Sequence, residues 1–186
     1  MKSGARALGV AESYRGETST VAGVVTRADR TVDGVAFETC SVGGTDATAA
    51  IALIFADLGR EDIQYLLVAG IAPAWYNIVD LGRLYEATET PVLSVSFEDS
   101  EGLGDAIREA FDGEAAQKRL DSYDALPERQ PVELDDGPVY VRSLGIDDEA
   151  AAAVVRAFTP EGGRPEPLRV ARLAARGGDA FRRQTE

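Results

Sequence analysis

Residues 62–71 read DIQYLLVAGI, and the rest of the chain falls into order around them. The apolar run from Tyr65 to Val68 is nearly continuous, which suits a strand buried on both faces of a sheet. It stops at Gly70, where a tight turn is allowed. Upstream, GGTDATAAIALIFADLG (43–59) opens on two glycines and a capping Thr45 or Asp46. It continues as an apolar helix and stops at Gly59. Downstream, the spacing predicts a helix over about 75–87, a strand in PVLSVSF (91–97), and a helix in LGDAIREAFDG (103–113) that ends at Gly113. Strand, helix, strand, helix in this rhythm is the signature of parallel pairing with crossover helices.

The segments before this core read differently. RALGVAES (6–13) is a short strand running into a polar turn, with Glu12 just past its end. STVAGVVTRADRTVDGVAFETCSV (19–42) is two strands around a turn at Ala28-Asp29-Arg30, with a bulge or second turn at Asp33-Gly34. The alternation of Val21, Gly23 and Val25, and of Val35 and Phe37, predicts half-buried strands. Beyond the core, EAAQKRLDSY is helical and PVELDDGPVYVRSL is a hairpin turning at Asp135-Asp136-Gly137. DDEAAAAVVRAFT is a capped helix halted by Pro160, and PLRVARLAARGGDAF is a last helix with Pro167 in its first turn. The expected fold class is α/β. An antiparallel three-strand meander is followed by βαβαβ-type elements in a ribonuclease H-like mixed sheet, with C-terminal helices. One domain over 1–186 is expected, with the hairpin and helices of 127–186 packed on it.

Composition narrows the chemistry. The chain has 186 residues, 45% of them hydrophobic, which suits a globular domain with a sizeable core. No apolar run reaches transmembrane length and no long signal core precedes the first strand, so a soluble cytoplasmic protein with no membrane partner is expected. A single cysteine, Cys40, excludes a disulfide framework and a cysteine-based zinc site. Histidine is absent, which removes Ser-His and Cys-His catalysis and the commonest metal ligand. Hydrolysis would therefore rest on carboxylates and a hard cation. No P-loop, GxGxxG after a strand, GxSxG or HExxH is present.

The formal net charge is −13, with 32 acids against 19 bases, and only Lys2 and Lys118 are lysines. Acid excess with so little lysine is the pattern of a halophilic, salt-rich cytosol, where self-repulsion is screened; an ordinary acidic protein is the alternative. The charge is uneven. Between residues 156 and 183 seven arginines stand against Glu161, Glu166 and Asp179.

Four places can carry chemistry. Glu12 follows the first strand and is a metal-ligand candidate or a solvated acid. Asp46 in GGTDAT is a ligand or a helix cap. In AGIAPAWYNIVD (69–80), Asn77 and Asp80 are three apart and would share a helix face, and Trp75 and Tyr76 offer a surface on which a base stacks, or are core residues. Arg169, Arg172 and Arg176 fall on one face of the last helix and contact phosphates or pair with surface acids.

Taken together, RALGVAES, GGTDAT, GIAPAWYNIVDL, PVLSVSF and PEPLRVARLAA resemble the archaeal endonuclease dU family, once classed as of unknown function and similar in fold to endonuclease V. The likeness covers nearly the whole chain. It implies a Mg2+- or Mn2+-dependent DNA endonuclease that acts at deoxyuridine in the repair of deaminated bases. In that reading Glu12 and Asp46 hold the metal, and Asp80 assists catalysis with them. Asn77 orients, Gly70, Trp75 and Tyr76 shape the lesion pocket, and Arg169, Arg172 and Arg176 hold the DNA. The family pattern also places acids where this chain has Ala11 and Ala69. Cleavage would then be weakened or lost; the alternative is a noncatalytic nucleic-acid-binding or interaction protein on the same fold.

Overall fold

Three long strands open the chain: β1 (Arg6–Tyr14), β2 (Thr18–Arg27) and β3 (Val32–Ser41). They pair antiparallel in sequence order. The computed structural model describes residues 2–185. Opposite Val25 and Thr26 the β2–β3 register slips, so that Val25 faces Gly34 while Thr26 faces Val32. Asp33 is the extra residue of a bulge, and its carboxylate accepts from Arg6 Nε at 2.6 Å.

The remaining elements are α1 (Ala47–Leu58), β4 (Tyr65–Ala69), α2 (Pro73–Tyr76), α3 (Leu81–Thr88), β5 (Val92–Ser96), α4 (Gly104–Ala110), α5 (Gly113–Asp124), β6 (Gln130–Leu134), β7 (Gly137–Leu144), α6 (Asp148–Ala157) and α7 (Glu166–Thr185). The sheet has seven strands in the order β3-β2-β1-β4-β5-β7-β6. β4 runs parallel to β1 and to β5, and the β6–β7 hairpin adds antiparallel at the far side of β5. The fold is the expected mixed α/β sheet, with β4 at its centre.

Helices cover both faces. On one, Ile51 and Ile54 of α1 and Leu84 of α3 bury against Leu8, Val10, Leu66 and Val68. On the other, Val154, Val155 and Phe158 near α6 and Leu168 of α7 bury against Ala7, Leu67, Leu93 and Val95. Gly9 permits the closest approach of α7: a Cβ there would sit 2.3 Å from the Pro167 carbonyl group. Burial on this scale is the main stabilising term.

Several local expectations change. β2 is buried along both faces, whereas Val35 and Phe37 on the edge strand β3 stay about half exposed, at 48% each. The reason is position: α1 and α7 sandwich β2, and β3 lies at the rim. Glu12 lies inside β1, because β1 runs on to Tyr14 paired with Ser19. The helix expected to end at Gly113 ends at Ala110; Phe111 is extended and Gly113, at φ +56°, begins α5. The helix expected over 75–87 is broken in two, and the break builds the candidate site.

Candidate functional site

The carboxyl ends of β1, β4 and β5 open on a crevice of about 280 Å³, where the ends of parallel strands usually receive ligands. Glu12, Ala69, Gly70, Pro73 and Ser96 line it, with Arg142 on the far side. Gly70 turns at φ +74° and donates its N–H to Val95 at 2.8 Å, which pins the turn to β5.

After Gly70 the chain makes an unusual turn. Ala74, Trp75 and Tyr76 all have positive φ, at 47°, 55° and 59°. A left-handed turn costs about 1–2 kcal/mol per non-glycine residue, so other contacts must offset it. Gly43 N–H donates to the Ala74 carbonyl at 2.7 Å, and Asn77 N–H donates to Pro73 at 3.0 Å. Arg119 supplies the rest. Its side chain is 6% exposed and lies 3.8 Å over the Phe111 ring. It donates to the carbonyls of Tyr76 (3.2 Å), Gly44 (3.1 Å), Ala115 (2.8 Å) and Gly43. Burial lowers its pKa from the ordinary arginine value, yet the guanidinium remains a cation clamping two loops through carbonyl oxygens. Sequence reasoning missed Arg119, because one arginine in a polar helix reads as a surface residue.

The turn displays Trp75, 51% exposed, with its ring 5.6 Å from Phe111 and 6.4 Å from Tyr76. Tyr76 is half-buried and meets Phe111 edge-on at 6.2 Å. A half-exposed indole on a backbone with positive φ leaves part of its ring face open to solvent.

Asn77 and Asp80 do not share a helix face, since residues 77–80 are not helical. Asn77 is fully buried. Its Oδ1 accepts from Ala47 N–H at 3.0 Å, capping α1, while its Nδ2 donates to Ser41 O (2.9 Å) and Asp46 Oδ1 (2.7 Å). Asp46 stands at the N-cap position of α1 but its side chain does not cap. The carboxylate turns back to β3 and accepts from Ser41 N–H (3.0 and 3.1 Å) and Ser41 Oγ (2.9 Å) as well as from Asn77. Partial burial works to raise its pKa, but donation from Asn77 and Ser41 outweighs it and leaves the pKa below the ordinary aspartate value. Asp80 caps α3, accepting from Arg83 N–H at 3.0 Å, and its own N–H donates to Thr48 Oγ1 at 3.0 Å.

Glu12 accepts from the buried Ser19 hydroxyl at 2.6 Å. Glu12 and Asp46 both act on Cys40. Burial first, then the charges of Asp46 and Glu12, push the Cys40 thiol up to about 12.

Do these residues fit a hard divalent cation? Such an ion takes six or more oxygen ligands, with carboxylates as its charged donors. Among the described residues no group of three acidic, histidine or cysteine side chains is placed to hold one. Asp46 spends its oxygens on Ser41 and Asn77, and Asp80 spends one on the α3 cap. Glu12 lines the crevice; Asp46 and Asp80 are not among the described residues that line it.

The two positions where the resemblance places acids, 11 and 69, are more informative. Val10 pairs with Val68 in the parallel β1–β4 register, so the next residues, Ala11 and Ala69, stand side by side. Adjacent strands are about 4.8 Å apart. Both alanines belong to the face covered by α7, where Ala11 packs with Val24 and Ala171 and Ala69 joins the same cluster. Carboxylates at these two places would face each other at the mouth of the crevice. The alanines offer no ligand oxygen at these two positions; Glu12 and Glu98 are the carboxylates among the described residues that line the crevice, and the residues present do not fit a pair of metal ions.

The arginine stripe divides. Arg169 is bound to Glu166 by two hydrogen bonds, at 2.7 and 2.6 Å, which raises its pKa and lowers that of Glu166. Arg172 and Arg176 line a groove that also holds Glu12 and Arg15.

Comparison with known proteins accords with this architecture. The family model for endonuclease dU matches residues 3–178. A UPF0215 protein of Pyrobaculum calidifontis is 36% identical over 174 residues, covering 91% of this chain and 94% of its own length. A crystal structure of a protein of unknown function from Archaeoglobus fulgidus superposes with a TM-score of 0.82 at 25% identity, over 92% of this chain and 96% of that one. Ciona intestinalis endonuclease V, solved with a 24mer DNA containing an inosine followed by a ribo-adenosine, superposes with a TM-score of 0.59 at 15% identity. It covers 93% of this chain and 84% of its own. That likeness is one of fold.

Proposed function

The chain belongs to the endonuclease dU family, and from that premise we propose that it recognises DNA carrying a deaminated base, deoxyuridine foremost, while cleaving it weakly. The observation that carries the reading is that Ala11 and Ala69, each one residue past the last β1–β4 pair, pack in one cluster beside the crevice that Ala69 lines. The fold keeps the strand-end opening, the Gly70 turn and the displayed Trp75, and lacks two carboxylates where they would meet. Two-metal hydrolysis needs enough carboxylate oxygen to hold cations about 3.5–4 Å apart. Losing those acids removes the means of placing metal and water, and also removes negative charge that would repel a phosphodiester.

In this account an extruded uracil enters beside Gly70, and Trp75 stacks on it or on a neighbouring base. Tyr76 and Phe111 set the indole; Asn77 and Asp46 fix the loop from behind. The fold likeness to an endonuclease V solved on inosine-containing DNA supports a nucleic-acid partner. A second reading, residual metal-dependent cleavage through Glu12 and Asp46, is favoured by one observation: the charges of both carboxylates are felt by the same buried thiol, Cys40.

The test is a pair of assays on one labelled duplex bearing a single deoxyuridine. Binding should prefer it to the matched thymidine duplex, and cleavage with Mg2+ or Mn2+ should be slow. Equal affinity for both duplexes would overturn the recognition claim; fast metal-dependent cleavage would favour the second reading.

A further inference from the structure

We propose that the α7 side of the crevice is a metal-independent phosphate site centred on Arg172, a guanidinium standing where carboxylates at positions 11 and 69 would otherwise recruit a cation. This rests on the nucleic-acid reading above and specifies how the backbone is held. Arg172 borders two adjoining grooves. One, of about 290 Å³, holds Ala69, Gly70, Ser96 and Arg164. The other, of about 410 Å³, holds Glu12, Arg15 and Arg176. Arg172 therefore links the strand end that lacks its acid to the cationic rim along α7.

In a chain with 32 acids many guanidiniums find carboxylates, as Arg6 does with Asp33 at 2.6 Å and Arg60 with Asp62 at 2.8 Å, and others, such as Arg119, find backbone carbonyls. Among the described residues, Arg15, Arg172 and Arg176 have no ion pair and no hydrogen bond, and Arg164 only stacks on Phe97, 4.0 Å from its centroid. The buried Asp179 in the second groove is already engaged by Arg183 at 3.1 Å and Arg182 at 3.6 Å. Glu12 and Glu98 are the acids left to face these cations, and Glu12 is held by Ser19. Four cations around a strand-end cleft match a row of phosphodiesters, because a guanidinium forks two hydrogen bonds to phosphate oxygens. With Ala11 and Ala69 uncharged, Arg172 forms no ion pair with a carboxylate among the described residues.

The experiment measures binding of a fluorescein-labelled single strand carrying one deoxyuridine, at the lowest salt that leaves the urea midpoint unchanged. It is run in EDTA and in Mg2+. The parent chain should bind equally in both. Arg172→Gln should lose about tenfold in affinity and flatten the salt dependence by about one unit of slope, while Arg172→Lys keeps the slope. Ala69→Asp should weaken binding in EDTA, and much less so when Arg172 is already Gln, because the new carboxylate acts by pairing with that guanidinium. Arg172 is exposed, so its variants should hold the parent's urea midpoint. Binding by the parent only with Mg2+, or an Arg172→Gln variant of parental affinity and slope, would overturn the phosphate site and leave the recognition reading standing. Failure of the parent to bind any strand in either buffer would overturn both.

Discussion

Asn77 Nδ2 donates to Asp46 Oδ1 at 2.7 Å while Asn77 Oδ1 accepts from Ala47 N–H at 3.0 Å. One fully buried amide thus caps α1 and ties the loop after β4 to the end of β3. Asn77→Ala strands the Ala47 N–H and removes two donations, so a loss of about 2–3 kcal/mol is expected. A drop in urea midpoint with unchanged slope checks it; an unshifted midpoint would contradict the capping role.

Asp46 gives the acid limb a definite sign. Its folded pKa lies below the ordinary value, so its contribution is complete above about pH 4. That contribution is lost as pH falls through the folded pKa. Asp46→Asn should lower stability at neutral pH and narrow its gap to the parent below pH 4. Stability curves that stay parallel down to pH 2.5 would remove Asp46 as the cause.

The sheet was legible in the sequence because its signals are strong and local. The apolar run at Tyr65–Val68, the glycines around Asp46 and the alternation in the first strands each point one way. The site was harder to read. Ala74, Trp75 and Tyr76 all favour right-handed backbone, so APAWYNIVD reads as a helix start; distant partners, the Gly43 N–H and the carbonyl clamp of Arg119, help hold the left-handed turn. Spacing placed Asn77 and Asp80 together on a helix that the turn abolishes. The stripe of Arg169, Arg172 and Arg176 was visible, but which member Glu166 neutralises depends on geometry.

Trp75 is the chain's single tryptophan, so its fluorescence reports the turn directly. Arg119→Met removes the clamp and should make the indole more accessible to acrylamide and weaken strand binding. Quenching and affinity equal to the parent's would show that the turn holds itself.

Trp75→Ala should weaken binding of a uracil-bearing strand by about 1–3 kcal/mol, the usual worth of one base stacked on an aromatic ring. With half of the ring already in solvent, the urea midpoint should move little. A large loss of stability with unchanged affinity would return Trp75 to a packing role.

The most direct measurement is metal-dependent cleavage of a deoxyuridine duplex by the parent chain, by Ala69→Asp, and by Ala69→Asp with Ala11→Asp. Ala11 is 5% exposed, so an acid there costs stability without metal, and added Mn2+ should restore it by binding the folded form. Cleavage should be slow for the parent, faster for the single variant and fastest for the pair, with Mn2+ raising the melting temperature of the double variant alone or most strongly. Rapid cleavage by the parent would contradict this, as would a folded, Mn2+-binding double variant that cuts no faster than the parent.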